Sequence, residues 1–301
     1  MAGHRGLVGA ALMRRLEREP VGEIVTATSR EVDLQRQAET ERFVAQTRPE
    51  VIFLAAAKVG GIEANRSAQG EFLYDNLMIG ANVLEAARRG EVSKTVVLGS
   101  SCIYPREAPQ PIREEALLTG PLEPTNEGYA IAKIATLEMG KMYRRQFGMD
   151  VISLMPTNLY GPGDNFHPVN SHALAALLRK IHEAKVTGSS TVDVWGTGTP
   201  RREFLHVDDL ADAAVFAAES YEAEGHLNIG TGRDITIREL AELIADVVGW
   251  DGELVFNKDM PDGAPRKLLD VSRIEALGWK ARVSLREGLE QTYRWYVNSL
   301  P

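Results

Sequence analysis

Tyr129 and Lys133 are the pair of side chains whose types and spacing most directly suggest chemistry in this sequence. A separation of four residues places them one turn apart on the same face of a helix. An ammonium beside a phenol favours the phenolate, so we expect Lys133 to lower the pKa of Tyr129 and allow proton exchange with a carbonyl or alcohol oxygen near neutral pH. Tyr-x-x-x-Lys also arises by chance as a packing pair, and its surroundings must decide between these interpretations.

Two hydroxyls and a thiol come directly after the apolar run Thr95 to Gly99, in the order Ser100, Ser101 and Cys102. The run predicts a buried parallel strand, and ligands bind at the carboxyl ends of such strands in doubly wound sheets. Cys102 is the only cysteine, so the sequence forms no internal disulfide. A lone cysteine is also a common buried apolar residue, and both interpretations of Cys102 stay open on spacing alone.

A glycine-rich turn, Gly3-His4-Arg5-Gly6-Leu7-Val8-Gly9, leads into a predicted amphipathic helix. Glycines at this spacing allow a tight turn and a close approach of the helix N-terminus to a pyrophosphate, although a glycine turn is also an ordinary connection. The next predicted strand ends about 20 residues later, at Arg30. An arginine there accommodates the 2′-phosphate of NADP, so Arg30 and Arg5 favour NADP over NAD, with Glu31 as the opposing signal.

Short apolar runs alternate with longer helical stretches, which predicts an α/β fold with a doubly wound parallel sheet, Rossmann-like. The predicted strands are Ile24 to Thr28, Val51 to Ala55, Thr95 to Gly99 and Val151 to Met155, and the predicted helices are Gly6 to Arg18, Ala68 to Arg89 and Asn126 to Phe147. Glycines and prolines after Pro156 indicate a hinge. We expect a cofactor domain of residues 1–158 with about 204–228, because Phe204 to Ala218 resembles a strand and helix, and a smaller α/β substrate-binding lobe of residues 159–203 and 229–301.

The glycine turn should follow a strand, yet only two residues precede Gly3. We therefore expect the first, central strand of the sheet to be missing from this chain, as in a start-site truncation. Unpaired backbone groups beside it would cost about 1 to 3 kcal/mol each. Cofactor binding is the function that such a loss would endanger.

Composition narrows the class of protein. The 301 residues are 44% hydrophobic and 25% charged, which is typical of a globular chain. The net charge of −8 argues against nucleic-acid or anionic-membrane partners. Apolar stretches are far shorter than the roughly 20 residues that span a bilayer, and a single cysteine fits a reducing, cytoplasmic setting. The histidines show no metal-ligand spacing, so no metal is assigned.

Together these motifs are similar to the extended short-chain dehydrogenase/reductase family, over essentially the whole chain. The segments that carry the resemblance are Ala55-Ala56-Ala57-Lys58-Val59-Gly60-Gly61-Ile62, Gly99-Ser100-Ser101-Cys102-Ile103-Tyr104-Pro105, Met155-Pro156-Thr157-Asn158-Leu159-Tyr160-Gly161-Pro162, Asp164-Asn165-Phe166-His167-Pro168 and Pro261-Asp262-Gly263-Ala264-Pro265-Arg266-Lys267. They resemble the members that act on GDP-sugars. The stretch Arg201 to Asp209 resembles one shared by many nucleotide-sugar enzymes.

The resemblance implies epimerisation of GDP-4-keto-6-deoxy-D-mannose at C3 and C5, then reduction of its C4 ketone by NADPH to give GDP-L-fucose. In this family's pattern Ser100 bonds the sugar 4-oxygen, Tyr129 donates the proton of the reduction, and Lys133 tunes Tyr129 and holds the nicotinamide ribose. Cys102 and His172 match the pair that moves protons at C3 and C5. A thiolate and an imidazole both titrate near neutral pH, which agrees with that role. His172 could instead cap a helix.

The resemblance also implies the binding residues and the partners. The expected NADP(H) contacts are Gly3, Arg5, Gly6, Leu7, Val8, Gly9, Arg30, Asp33, Leu34, Leu98, Gly99, Ser100, Ser101, Lys133, Pro156, Thr157, Asn158, Leu159 and His172. The expected GDP-sugar contacts are Asn158, Asn165, Lys180, Trp195, Arg202 and Asp262. A homodimer is expected, with the two long helices as its seams. Two alternatives stay open: another NAD(P)-dependent nucleotide-sugar epimerase or dehydratase, and a non-catalytic nucleotide-binding protein.

Overall fold

The structure is a computed structural model that describes residues 1–168, 171–260 and 262–300, without the side chains of Ile62 and Glu63. Its helices are α1 Leu7–Leu16, α2 Gln37–Thr47, α3 Ile62–Ser67, α4 Gln69–Arg89, α5 Glu127–Phe147, α6 Ala173–Thr187, α7 Val207–Ser220, α8 Ile237–Val248, α9 Ser272–Ala276 and α10 Leu285–Ser299. Its strands are β1 Val51–Leu54, β2 Lys94–Leu98, β3 Val151–Pro156, β4 Asn158–Tyr160, β5 Thr191–Trp195, β6 Arg201–His206, β7 His226–Ile229, β8 Asp234–Thr236, β9 Glu253–Asn257 and β10 Arg266–Lys267.

Strands β1, β2, β3 and β7 pair in that order, and every pairing is parallel. β2, β3 and β7 are buried along their whole length, as apolar runs without alternation require. Helices connect these strands in sequence. The α/β class and the parallel sheet are thus confirmed.

One predicted strand is wrong, because Ile24 to Thr28 is not a strand in the structure. A strand needs a neighbour that pairs with its backbone. Here the amino group of Met1 donates to the carbonyl of Val25 at 2.8 Å. Ala2 forms a single parallel bridge to Leu54, so the first two residues supply one rung beside β1 rather than a full neighbouring strand.

Close packing of α4 against α5 fixes the helix that carries Tyr129 and Lys133. A Cβ atom on Gly80 would lie 2.1 Å from Oγ1 of Thr136, and one on Gly128 would lie 2.5 Å from the carbonyl oxygen of Gln69. Both glycines are therefore required by the approach of the two helices. The result is that the start of α5 is held against the start of α4.

A second, separate apolar cluster lies between α6, α8 and α10 and includes Leu178, Ile181, Ile244 and Leu289. It packs beside β4, β6, β8 and β10, which form one small sheet, and β5 and β9, which form another. Helix α7 packs in the other, larger apolar cluster, which also includes Leu269, Val271, Ile274 and Trp279. The domain limits stay a prediction.

Candidate active site

Lys133 lies at the carboxyl end of β2, as the motif predicts. Its Nζ donates a hydrogen bond to the carbonyl oxygen of Leu98 at 2.9 Å and lies 5.7 Å from the centroid of the Tyr129 ring. The Tyr129 ring also contacts Phe72 of α4 edge to face, with 6.5 Å between the ring centroids. The helix spacing and the end of the strand thus bring this pair to the sheet edge.

The pKa values of the pair differ from the expectation. Burial, together with the nearby Cys102 thiolate, raises the pKa of Tyr129 well above its usual range. Burial lowers the pKa of Lys133 to about 8. The expectation that Lys133 depresses the pKa of Tyr129 is therefore wrong for this structure, because burial of the phenol is the largest cause of the change and Lys133 is not among its causes.

Ser100 and Cys102 follow β2 and lie beside this pair. The side chain of Ser100 caps a short 3₁₀ helix, Ser101–Ile103, by accepting a hydrogen bond from the backbone N–H of Cys102 at 3.3 Å. Cys102 itself is buried. Burial raises the pKa of its thiol, while the charges of Lys267 and Lys133 and a hydrogen bond with Ser100 act to lower it.

The glycine turn before α1 has the geometry that a pyrophosphate requires. Gly3 has φ +87°, and a Cβ atom on it would lie 2.7 Å from the backbone nitrogen of Ala56. A Cβ atom on Gly9 would lie 1.9 Å from the carbonyl oxygen of Gly3, whereas the nearest atom to a Cβ on Gly6 is 3.6 Å away. α1 has no acidic residue in its first turn, so Leu7 and Val8 begin a helix whose N–H groups favour an anion.

Beyond the turn, the residues expected near the adenosine half lie in loops. Arg5 and Arg30 are exposed. The carboxylate of Glu31, the opposing signal in the sequence, accepts hydrogen bonds from the backbone and hydroxyl of Thr28 at 2.7 and 2.8 Å. The Glu31 carboxylate is therefore engaged in a local turn with Thr28.

Asp33 and Leu34 are held from two sides. A carboxylate oxygen of Asp33 accepts from the backbone of Gln35 at 3.0 Å. The carbonyl oxygen of Leu34 accepts from the amide of Asn82 in α4 at 2.9 Å.

The ends of β2 and β3 adjoin one another. A Cβ atom on Gly99 would meet the side chain of Met155 at 2.3 Å, and Leu98 and Ser101 are buried. Past Pro156, Thr157 and Asn158 turn their side chains to the carbonyl oxygen of Glu203, at 3.3 and 2.8 Å, and Leu159 pairs with Leu205.

Four residues expected to contact the GDP-sugar form one cluster in the lobe. Nζ of Lys180 lies 5.4 Å from the centroid of the Trp195 ring, which is 58% exposed. Asp262 accepts from the backbone and hydroxyl of Thr197, two residues after Trp195, at 2.7 and 2.9 Å. Burial lowers the pKa of Arg202, and Asp262 opposes that change. An arginine and an exposed indole suit a diphosphate and a flat base.

His172 occupies the N-cap position of α6, but its side chain makes no capping hydrogen bond. The residue as a whole is exposed, yet burial of its imidazole by the surrounding atoms lowers the pKa of His172. The alternative that it only caps the helix is not supported by a side-chain bond. Asn165 is exposed and accepts from the backbone of His167 at 3.0 Å, within a local turn.

Lys267 and Glu203 are the residues that the sequence did not single out. Lys267 ends a quoted motif, yet a lysine after an arginine resembles a solvated charge. Glu203 is fully buried and accepts hydrogen bonds from the backbones of Thr231, Gly232 and Leu269 at 2.7 to 3.0 Å. The signal available in the sequence was the position of Glu203 within a strand, on the side that faces inward.

The described residues contain neither a metal-binding cluster nor a membrane-spanning helix. No group of three or more His, Cys, Asp or Glu side chains there is arranged to hold a metal ion. Within the same residues, none of the helices combines the length and the apolar composition needed to cross a membrane.

A parallel sheet with a glycine turn and a Ser-Tyr-Lys set at its carboxyl edge defines a nicotinamide-dependent enzyme of the Rossmann-like class. The sequence pattern of the NAD dependent epimerase/dehydratase family matches residues 1–230, and the chain belongs to this family.

Named relatives extend this similarity over the whole chain. The chain is 57% identical over 300 residues to GDP-L-fucose synthase 1 of Arabidopsis thaliana, covering 100% of this chain and 93% of that one. It is 51% identical over 308 residues to GDP-L-fucose synthase of Escherichia coli, covering 99% and 96%. A solved GDP-L-fucose synthetase from Naegleria fowleri bound to NADP superposes with a TM-score of 0.91, at 26% identity and over 99% and 92% of the chains.

Proposed function

We propose that this chain converts GDP-4-keto-6-deoxy-D-mannose into GDP-L-fucose, by epimerisation at C3 and C5 followed by NADPH-dependent reduction of the C4 ketone. The observation that carries the proposal is that Ser100 and Cys102 directly follow β2, at the same strand end where Lys133, one helical turn from Tyr129, donates to the carbonyl of Leu98. One bound sugar can therefore meet both proton-transfer groups. Full-length similarity to enzymes with that printed name supports the substrate.

The cofactor is NADP(H), and the residues present fit it. The glycine turn of Gly3, Gly6 and Gly9 presents the N-terminus of α1 to the pyrophosphate. Arg5 and Arg30 would hold the 2′-phosphate, since the Glu31 carboxylate is engaged with Thr28. The other expected contacts, at Asp33 and Leu34 and at the ends of β2 and β3, would hold the adenine and the nicotinamide half. When bound, NADPH supplies the hydride for C4.

Epimerisation is assigned to Cys102 and His172. The C4 ketone acidifies the C–H bonds at C3 and C5, so one group removes a proton and the other returns a proton on the opposite face. The thiolate of Cys102 and the imidazole of His172 are suited to these two steps. The lowered pKa of His172 keeps its ring neutral over more of the pH range.

Reduction is assigned to Tyr129, with Ser100 and Lys133. The hydroxyl of Ser100 donates to the sugar 4-oxygen, and Tyr129 gives its phenolic proton to the same oxygen as the C4 ketone becomes an alcohol. The raised pKa of Tyr129 keeps it protonated and ready to donate. Lys133 holds the nicotinamide ribose through its ammonium.

Substrate binding is assigned to the cluster in the lobe. Arg202 and Lys180 would hold the diphosphate, Trp195 would stack on the guanine base, and Asp262 would accept hydrogen bonds from the base or a sugar. Asn158 and Asn165 add hydrogen bonds near the sugar. Lys180, Trp195, Arg202 and Asp262 all fall within the substrate-binding lobe that we propose at residues 159–203 and 229–301.

The assay is NADPH oxidation by the 301-residue chain with GDP-4-keto-6-deoxy-D-mannose, and its control is Tyr129→Phe. Oxidation that is lost in the variant supports the proposal. Solvent deuterium incorporated at C3 and C5 separates this activity from that of another nucleotide-sugar epimerase or dehydratase. A protein that binds NADPH but oxidises none, with the substrate verified, would instead be a non-catalytic member of the fold.

We further propose a cytoplasmic homodimer, without nucleic-acid or membrane partners. The net charge of −8 supports the exclusion of polyanions. The two long helices α4 and α5 carry exposed apolar side chains, including Tyr74 at 57%, Ile131 at 41% and Met142 at 46%. Exposed apolar groups on two neighbouring helices are suited to burial against a second copy.

A further inference from the structure

The loop between β5 and β6 begins after Trp195 and leads to Arg202, two of the proposed GDP-sugar contacts. Gly196 and Gly198 in this loop have φ of +79° and +78°, a left-handed backbone that glycine adopts without strain. The backbone N–H of Gly196 donates to the carbonyl of Asn257, the last residue of β9, at 2.8 Å. The loop is thus tightly turned, and its start is fixed to β9.

The chain between β9 and β10 brings Asp262 against this loop. One carboxylate oxygen of Asp262 accepts from the backbone N–H of Thr197 at 2.7 Å, and the other accepts from the Thr197 hydroxyl at 2.9 Å. A Cβ atom on Gly196 would lie 2.2 Å from the first of these oxygens. The absence of a side chain at Gly196 is therefore what lets the carboxylate approach the loop backbone.

The hydrogen bonds of the Thr197 hydroxyl have one direction. An ionised carboxylate only accepts, so the hydroxyl proton of Thr197 goes to Asp262. The hydroxyl of Thr199 at 2.7 Å and the backbone N–H of Thr199 at 3.2 Å then donate to the oxygen of Thr197. The loop thus holds the Thr197 hydroxyl so that its proton is directed at the carboxylate.

Asp262 also lies beside the guanidinium of Arg202. Gly263 follows Asp262 with φ +72°, and a Cβ atom on Gly263 would lie 3.4 Å from Nη2 of Arg202. The paired hydrogen bonds between Thr197 and Asp262 therefore join the loop that follows Trp195 to the chain that borders Arg202.

We propose that Thr197 is a positioning residue for GDP-sugar binding, whose hydroxyl orients the Asp262 carboxylate and ties it to the loop that bears Trp195. This rests on the proposed function, which assigns Asp262 and Trp195 to the GDP-sugar. Each carboxylate oxygen accepts more than one hydrogen bond, so Asp262 keeps acceptor capacity for the base or a sugar while Thr197 holds it. A carboxylate fixed in advance loses less conformational freedom when the GDP-sugar binds.

Thr197→Val removes the hydroxyl and keeps the shape of the side chain. KM for the GDP-sugar should rise about three- to tenfold, the range for one hydrogen bond, while kcat and KM for NADPH should stay near wild type. Thr197→Ser keeps the hydroxyl and should restore the low KM. A fall in kcat without a rise in this KM overturns the proposal. Should Thr197→Val fail to fold, Thr197→Ala takes its place.

The matched control is Thr187→Val, at an exposed threonine of the same lobe. Its hydroxyl donates to the carbonyls of Glu183 and Ala184 in its own helix, at 2.8 and 3.4 Å. This variant should leave KM for the GDP-sugar unchanged. A rise equal to that in Thr197→Val means that loss of any threonine hydroxyl in the lobe has the effect, and it overturns the proposal.

Asp262→Ala decides whether Thr197 acts through the carboxylate. Adding Thr197→Val to this variant should change KM for the GDP-sugar little further, because the hydroxyl then has no carboxylate to orient. Residues that share one interaction give such non-additive effects. Two effects on KM that multiply in full overturn the proposal.

Calorimetric binding of GDP-mannose, which has an alcohol at C4 and needs no turnover, provides the second readout. Thr197→Val should weaken this binding by the same factor as it raises KM. Wild-type protein that binds GDP-mannose but oxidises no NADPH with the keto sugar contradicts the proposed reaction alone, and the binding titration then decides the role of Thr197. Wild-type protein that binds no GDP-mannose overturns both proposals.

Discussion

Lys133 donates to the main-chain carbonyl of Leu98 at 2.9 Å while its ammonium lies 5.7 Å from the centre of the Tyr129 ring. The lysine thus binds the end of β2 and lies over the ring of the phenol, and no hydrogen bond from its ammonium to the Tyr129 hydroxyl is found among the described residues. This orientation explains why the phenol keeps its proton in the structure, since its burial is not offset by a direct bond to the ammonium. A retained proton is what the reductive direction requires.

Tyr129→Phe should lose NADPH oxidation by about 10² to 10⁴-fold, because the proton for the C4 oxygen then has no positioned donor. Deuterium incorporation at C3 and C5 should continue, since it depends on other groups. Initial rates and mass spectrometry of the sugar measure the two steps separately. Undiminished oxidation in the variant would exclude Tyr129 as the donor.

Lys133→Met should remove a pH-dependent stability difference. The pKa of Lys133 is lowered from 10.5 to about 8 in the folded protein, so the unfolded chain binds the extra proton between these values. Wild-type stability is therefore reduced below pH 8 and recovers as pH rises toward 10.5, by about 3 kcal/mol. Urea unfolding at several pH values should show this rise in wild type and a weaker one in Lys133→Met. Parallel curves would contradict it.

His226→Gln should make the protein less sensitive to acid. The ring is buried, with Nε2 3.0 Å from the hydroxyl of Tyr104, and burial lowers the pKa of His226 from 6.5 to about 4. The unfolded state binds a proton first, so wild type loses about 3 kcal/mol as pH falls from 6.5 to 4. Denaturant titrations of both proteins across that window are the measurement. An identical loss in His226→Gln would show that another group is responsible.

Trp195→Ala should weaken GDP-sugar binding without harming the fold. The indole is 58% exposed, so its removal should leave little change in the melting temperature. Stacking of a base on an aromatic ring contributes about 1 to 3 kcal/mol, so KM for the GDP-sugar should rise by roughly tenfold. KM for NADPH is the internal control and should be unchanged. A joint rise in both constants would argue against a base-stacking role.

Local patterns were enough to predict most of the parallel sheet. The apolar runs Val51 to Ala55, Thr95 to Gly99 and Val151 to Met155 match β1, β2 and β3 to within one residue at each end, whereas β7 was not predicted. The glycine and Tyr-x-x-x-Lys motifs indicated where the site lies. The prediction failed at Ile24 to Thr28, where the residue types are right but pairing depends on a neighbour elsewhere in the sequence. Strand propensity alone does not supply that partner.

The charges of the site were less predictable than its location. Four-residue spacing indicates that Tyr129 and Lys133 are close, but the pKa of each depends on how much water the fold removes. Lys267 lies opposite Arg202 only because β10 pairs with β6. No local pattern encodes that pairing.

The buried carboxylate of Glu203 has a consequence for cooperativity. One side chain of β6 binds the backbone after β7, at Thr231 and Gly232, and the backbone after β10, at Leu269. Opening any one of these segments leaves an unsatisfied charge for the others. Their amide protons should exchange with solvent as a single unit, so the strand that bears Arg202 and the end of the main sheet would open together or not at all.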